Sequence, residues 1–391
     1  MLFKSSVVAG VLLFLSAGCS GEPDSSVATG GQSGAAGSSP QGLAGGGQAG
    51  IAGEPVSAAG TVAATEAGAP GSGGGAGAAI GGQTQGGEPT GGGQPSAGSG
   101  GQPTTAGPST HDELILYDDD GKLWYVNNTE PAKSWSVSSG SGRDLQLIGG
   151  GRVMLGKGNG WDEYQLSDGK QVAGQHGFAG TQSAHRLADG ATMLASVSNN
   201  SILLKMVTSA GQVQRTITYA GYAYVRLVRP TAAGTFLVTA DTLVFEGDDQ
   251  GKVLKTWTIP GKGQHVWKAL RLASGNTVIA TGYNATLMVF GPDQALLKTI
   301  GGKGAEFSAL DPHFFAGFTV RPNGNYFVVN SQADSNNDKS VQLLEFDPDG
   351  KLAWQQKQPA TVRSLEEAIV LDGLDTSKLQ IETSGPLMPA P

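Results

Sequence analysis

Along residues 113–382 the chain alternates short apolar runs with polar turns, and the alternation itself repeats. The runs carry two-residue periodicity and are rich in Val, Ile, Leu and Thr, the pattern of strands. Between them stand hairpin pairs at Asp120-Gly121, Asp168-Gly169, Asp189-Gly190, Asn323-Gly324, Asp349-Gly350 and Asp372-Gly373. No stretch shows an amphipathic helix of three turns.

One hairpin recurs in nearly the same form. It reads LIGGGRVMLG (147–156), RLADGATMLA (186–195), VRPTAAGTFLVT (228–239), RLASGNTVIA (271–280), VRPNGNYFVV (320–329) and, in part, AIVLDG (368–373). Its turn glycines, Gly151, Gly190, Gly234, Gly275, Gly324 and Gly373, are spaced 39, 44, 41, 49 and 49 residues apart. That is the period of one four-stranded propeller blade. A second hairpin follows each first one, as in LVFEGDDQGKVLKTW (243–257), LMVFGPDQALLKTI (287–300) and LLEFDPDGKLAW (343–354). With strands lettered outward from the channel, the first hairpin is A and B, the second C and D.

The expected fold is therefore all-β: a six-bladed β-propeller over residues 112–384, with 385–391 as a C-terminal tail. A seven-bladed propeller would need a degenerate blade hidden in a long interval, and a β-sandwich would not need so regular a repeat. The last repeat lacks its outer strands, whereas residues 113–117, 122–126 and 133–137 read as B, C and D with no A. A propeller must hide the edges of its first and last blades, so these strands are expected to complete the sixth blade around the C-terminal A strand. Residues 378–382 compete with 113–117 for the B position.

The first 110 residues have a different composition. Between Ser20 and Thr110 there is no Lys, Arg, Phe, Trp or Tyr, and this stretch holds 29 of the 63 glycines. Such a segment buries too little apolar surface to offset its chain entropy, and residues 19–111 are expected to be a disordered Gly/Ala/Ser/Gln tether. Its root-mean-square reach is on the order of 50 Å. Residues 1–18 have the form of an export signal: Lys4, an apolar run at 7–15, then Ser16-Ala17-Gly18. Cys19, the single cysteine, follows at once. This resembles a bacterial lipoprotein signal, departing from it in having Ser16 where Leu is usual. The resemblance implies a lipid-modified Cys19, a membrane anchor and an envelope location, at the outer membrane or cell surface. The net charge of −8 provides no basic field, so no nucleic-acid partner is expected.

The DPDGK-x-x-W pattern at 347–354, with the Asp-Gly or Asn-Gly hairpins, resembles arylsulfotransferase-like and PQQ-like (quinoprotein-type) propellers, and in style NHL-type propellers. The resemblance spans about residues 113–382 and implies architecture. In arylsulfotransferases a channel histidine is the nucleophile, but no histidine here sits in a motif that carries that role across. A PQQ enzyme would need a Ca²⁺ site and a stacking platform, and no cofactor is expected. No residue is assigned as catalytic: HExxH, P-loop and GxSxG motifs are missing from 112–384. Trp135, Trp257 and Trp354 fall on D strands, where packing between blades is the expected role.

Polar residues gather at the entries to the A strands. Arg143 and Arg226 lie eight residues before their turn glycines. Tyr224, His265 and Arg363 lie ten before theirs, His313 eleven and His185 five. Together these seven are expected to ring one channel mouth and to grip a small anionic ligand. Asp334, Asn336, Asp338 and Glu345 have a weak EF-hand-like spacing, but Lys339 stands where the turn needs Gly, so no metal is expected. The functional expectation is a membrane-anchored, non-enzymatic binding or scaffolding module for a small anion or an envelope protein. The alternative is a channel-mouth enzyme of arylsulfotransferase-like, quinoprotein-like or lactonase-like type.

Overall fold

The computed structural model describes residues 111–261, 265–332, 340–359 and 361–391. The expected export signal, Cys19, residues 19–110 of the expected tether and the candidate cation residues Asp334, Asn336 and Asp338 lie outside them, whereas His111, the last residue assigned to the tether, is buried in the domain against Glu345.

The chain opens with β1 (Glu113–Asp118), β2 (Lys122–Asn127) and β3 (Trp135–Ser138). The first complete blade follows as β4 (Gly142–Gly149), β5 (Arg152–Lys157), β6 (Gly160–Gln165) and β7 (Gln171–His176). The second is β8 (Thr181–Arg186), β9 (Thr192–Ser198), β10 (Ser201–Val207) and β11 (Val213–Ala220). The third is β12 (Val228–Pro230), β13 (Phe236–Ala240), β14 (Leu243–Gly247) and β15 (Val253–Thr258). The fourth is β16 (Lys268–Arg271), β17 (Thr277–Ala280), β18 (Thr286–Phe290) and β19 (Leu296–Gly301). The fifth is β20 (Phe314–Val320), β21 (Tyr326–Ser331), β22 (Leu343–Phe346) and β23 (Leu352–Gln356). Then come β24 (Leu365–Val370), β25 (Gln380–Ile381) and β26 (Met388–Pro389).

Five blades are consecutive antiparallel sheets, and the sixth has the order β24-β1-β2-β3. The innermost strands contact one another in a closed cycle, β4 to β8, β12, β16, β20, β24 and back to β4. This is a six-bladed propeller. Its closure joins the two ends of the domain: Leu114 pairs with Val370, Ile115 with Ile369 and Leu116 with Ala368. Leu114, Ile115 and Leu116 are fully buried, because this strand has a blade on each side and a partner on each edge. β1 thus takes the B position, and residues 378–382 do not displace it.

Those residues have another place. Gln380–Ile381 pairs with Met388–Pro389, so the expected tail at 385–391 is one arm of a hairpin. The segment crosses the face that carries the A–B turns. Gly150 N–H donates to Ser377 O, Gly151 N–H to Thr376 O and Ala232 N–H to Thr383 O, and Pro386 bridges to Val320.

The blades pack through continuous apolar seams. Trp135 sends its indole N–H to Leu166 O of the next blade and lies over Gly169. Trp257 is buried beneath Arg271, and Trp354 is buried against His111.

Candidate functional site

The inner strands expose backbone donors along the channel, and side chains of the preceding blade satisfy several of them. Asp144 Oδ2 accepts from Ala184 N–H, Gln146 Oε1 from Arg186 N–H and Ser183 Oγ from Val228 N–H. Deeper charges form a closed network. Arg229 donates to Asp144 at 2.6 Å and to Glu382 at 2.9 Å, and Lys268 donates to Glu382 at 2.9 Å. Burial opposes the charge on Arg229, but the Asp144 and Glu382 carboxylates outweigh it and raise its pKa. Glu382 comes from the C-terminal segment, so that segment stoppers the channel at the A–B turn face. The other end of the channel lies at the opposite face.

That face is built from the entries to the A strands and from the B–C loops. Here Arg226 stacks on Trp267 at 4.7 Å and on Tyr224 at 5.2 Å, and Arg143 lies over Trp267 at 5.5 Å. Two guanidiniums share one indole. Arg143 donates to Gln182 Oε1. The buried Nε atoms of Arg143 and Arg226 have no hydrogen-bond partner, and neither arginine forms an ion pair among the described residues. Burial, and then the charge of Arg143, pushes the pKa of Arg226 down.

The rest of the mouth is aromatic. His265 lies 6.3 Å from Tyr224 and 5.6 Å from Tyr283, and Tyr283 lies 5.9 Å from His313 and 4.8 Å from Phe314. His265 Nδ1 approaches Asp241 Oδ1 at 2.9 Å. Glu366 completes the mouth. Part of its surface is open, but protein hems it in, and burial raises its carboxyl to about 7 against the pull of Arg143 and Arg226. Asp119, in the β1–β2 turn, is raised to about 6 by burial and by Asp120 and Asp118.

The structure thus gathers Arg143, Tyr224, Arg226, His265 and His313 at one mouth, and separates two residues from them. His185 is buried deep in the channel, 3.4 Å from Gln146, where burial, Arg229 and Lys268 hold its pKa well below the usual histidine value. Its position five residues before the glycine puts it near the stoppered end. Arg363 lies on the outer rim, half-exposed, 3.5 Å from Asp120. Glu345, the described member of the cation spacing, sits inside β22, where His111 and Asn325 engage its carboxylate. Despite burial, their hydrogen bonds hold its pKa below the ordinary value. Among the described residues no group of three His, Cys, Asp or Glu is placed to hold a metal ion.

Sequence reasoning missed Trp267, Gln182, Tyr283 and Glu366. A signal for two of them was present. Gln182 and Trp267 stand eight residues before Gly190 and Gly275, the offset of Arg143 and Arg226. Glu366 stands seven before Gly373, where β24 does not turn into its own B strand but leads into the C-terminal segment.

No protein-family model and no characterised protein matches the sequence. Solved structures match through their shape. A protein of unknown function from Bacteroides caccae superposes with a TM-score of 0.57 at 17% identity, over 66% of this chain and 98% of that one. A catalytically inactive virginiamycin B lyase from Staphylococcus aureus, solved with quinupristin, gives 0.42 at 10% identity, over 64% and 86%. A streptogramin B lyase gives 0.45 at 8% identity, over 71% and 92%. The two lyase superpositions are too loose to bear on this chain, and a likeness at 17% identity speaks only of fold. By its topology, and in its likeness to the Bacteroides protein, this chain is a six-bladed β-propeller.

Proposed function

We propose that the propeller is a binding module for a small anion, such as a sulfate, phosphate or carboxylate group, held at the open channel mouth. The observation that carries this reading is the pair Arg143 and Arg226 on Trp267, neither in an ion pair among the described residues, beside a Glu366 carboxyl that burial keeps protonated up to about 7. Two mutually repelling cations in a half-buried pocket are relieved by an anion. Their forked donors suit an oxyanion, and the indole keeps both planes in place. A scaffold for a protein partner is less well supported. The exposed aliphatics Val172, Val213, Leu254, Leu296, Leu297 and Leu352 are spread over the outer strands of five blades rather than gathered in one patch. The sequence adds the address: lipidation at Cys19 and a long tether would hold this module at the bacterial envelope.

The test is calorimetric titration of the full chain with sulfate, phosphate and succinate. At least one anion should bind, and Arg226→Met should weaken it at least about tenfold, about 1.4 kcal/mol. No binding by any of the three, or equal binding by the variant, would refute the reading. One observation favours an enzyme at the same mouth: the Glu366 carboxyl, near neutrality, is poised to exchange a proton beside the two arginines. In that case Glu366→Gln would abolish turnover of a bound anionic substrate while keeping its affinity.

A further inference from the structure

Outside the channel, the outer parts of the closing blade and the fifth blade leave a cleft of about 370 Å³. That volume falls within the ~300–1,000 Å³ of small-molecule sites. One wall carries Trp124, with Ser136 opposite it across the β2–β3 pair. Gln356 and Gln358, at and beyond the end of β23, form the other. Tyr125 and Trp135, stacked at 5.8 Å, also line the cleft, with the Trp135 indole turned toward the next blade. Among the described residues, the twelve that line it are uncharged. The mouth reading uses none of them.

We propose that this cleft binds the pyranose ring of a neutral glycan. A sugar ring offers an apolar C–H face and a rim of hydroxyls, each both donor and acceptor. Aromatic faces match the first, and amides and hydroxyls match the second. Lys122 Nζ lies 5.6 Å from the Trp124 ring, but no described lining residue is charged, which disfavours phosphorylated or acidic ligands. Trp124 is pre-set for stacking, because its indole N–H donates to Asp118 Oδ2 at 2.8 Å and fixes the ring. A second, independent observation points to a missing partner. Gln358 is only 5% exposed, yet among the described residues its amide nitrogen has no hydrogen-bond acceptor. Buried amides rarely stay unpaired, and a ligand hydroxyl would supply the acceptor. A groove for a proline-rich peptide would also use Trp124 and Trp135, but would leave the amides of Gln356 and Gln358 with little to read.

The experiment is saturation-transfer NMR on the full chain with neutral oligosaccharides of glucose, mannose and N-acetylglucosamine, and with a proline-rich peptide. Ser136 is exposed, so Ser136→Trp fills the cleft without disturbing the core, and Gln358→Leu removes the unpaired amide. At least one oligosaccharide should receive saturation. Its affinity should fall at least about tenfold in Ser136→Trp, about 1.4 kcal/mol, fall also in Gln358→Leu, and be unchanged in Arg226→Met. The proposal is overturned if no oligosaccharide responds, if the peptide alone responds, or if both cleft variants bind as the parent does. Because Arg226→Met separates the two sites, failure here leaves the anion reading standing.

Discussion

Arg229 Nε lies 2.9 Å from Glu382 Oε2, a bond between the inner strand of the third blade and a segment 153 residues later. Both side chains are almost wholly buried, and Lys268 and Asp144 complete the network. Removing one member of a buried ion pair strands the others without solvent. Glu382→Ala is therefore expected to destabilise the domain by about 3–5 kcal/mol, with Glu382→Gln milder. Equilibrium urea unfolding of the two variants checks this.

The mouth should respond to pH through Glu366. Its folded pKa, about 7, stands above the ordinary 4.5, so the folded state holds the extra proton between those values. Stability from this group is fully present below about 4.5 and is lost as pH rises through about 7. Above 7 the carboxylate competes with a bound anion for Arg143 and Arg226. Sulfate affinity should therefore rise as pH falls through 7, and Glu366→Gln should lose the part of that rise centred near 7, leaving only what Asp119 adds near 6. Calorimetry between roughly pH 5 and 8, where folded proteins tend to be most stable, separates these outcomes.

Closure of the ring makes a topological prediction. Deleting residues 113–137 removes β1, β2 and part of β3, and exposes the edge of β24 and the seam it covers. The truncated domain should lose its cooperative thermal transition. An unchanged melting temperature would mean that the other blades do not depend on closure.

Gly317 has a strict packing reason. A Cβ there would lie 2.2 Å from the Glu367 carboxylate, which is itself buried and bonded to the Trp267 indole at 3.0 Å. Gly317→Ala should destabilise the domain, typically by 1–3 kcal/mol, and should also weaken anion binding by shifting Trp267. Thermal melts and sulfate titration read the two effects.

The anchor is tested by fractionation. Cys19→Ser should move the protein from the membrane pellet to the soluble fraction of cells that express the full chain. Continued sedimentation would remove the lipid anchor from the proposed function.

Much of the architecture could be read from local pattern. The turn glycines repeat because each A–B hairpin needs the same left-handed position, as at Gly190 and Gly324, where φ is 86° and 87°. The positions of Arg143 and Arg226 could be read for the same reason, since a repeated blade places equal offsets at equal heights. His185 shows the limit of that reading. It shares an inner strand with Gln182, but three residues further along the strand carry it from the mouth to the buried network. Arg363 shows another limit: an exposed arginine takes whichever partner lies nearest, here Asp120.

Six blades and closure of the ring by the N-terminal strands could be read from the chain alone, whereas 113–117 and 378–382 stayed rivals for the B strand until the pairing of β1 with β24. Blade number and closure follow from periodic hydrophobicity and from the cost of open sheet edges, which any chain with this pattern must meet. Only the tertiary structure decided which end of the channel stays open. The stopper rests on Glu382 meeting Arg229 and Lys268, and the mouth on Arg143 and Arg226 both lying against Trp267 beside Glu366. Such contacts join residues far apart in the chain, occur once, and follow no period. They arise when the closed ring brings six inner strands within reach of one another.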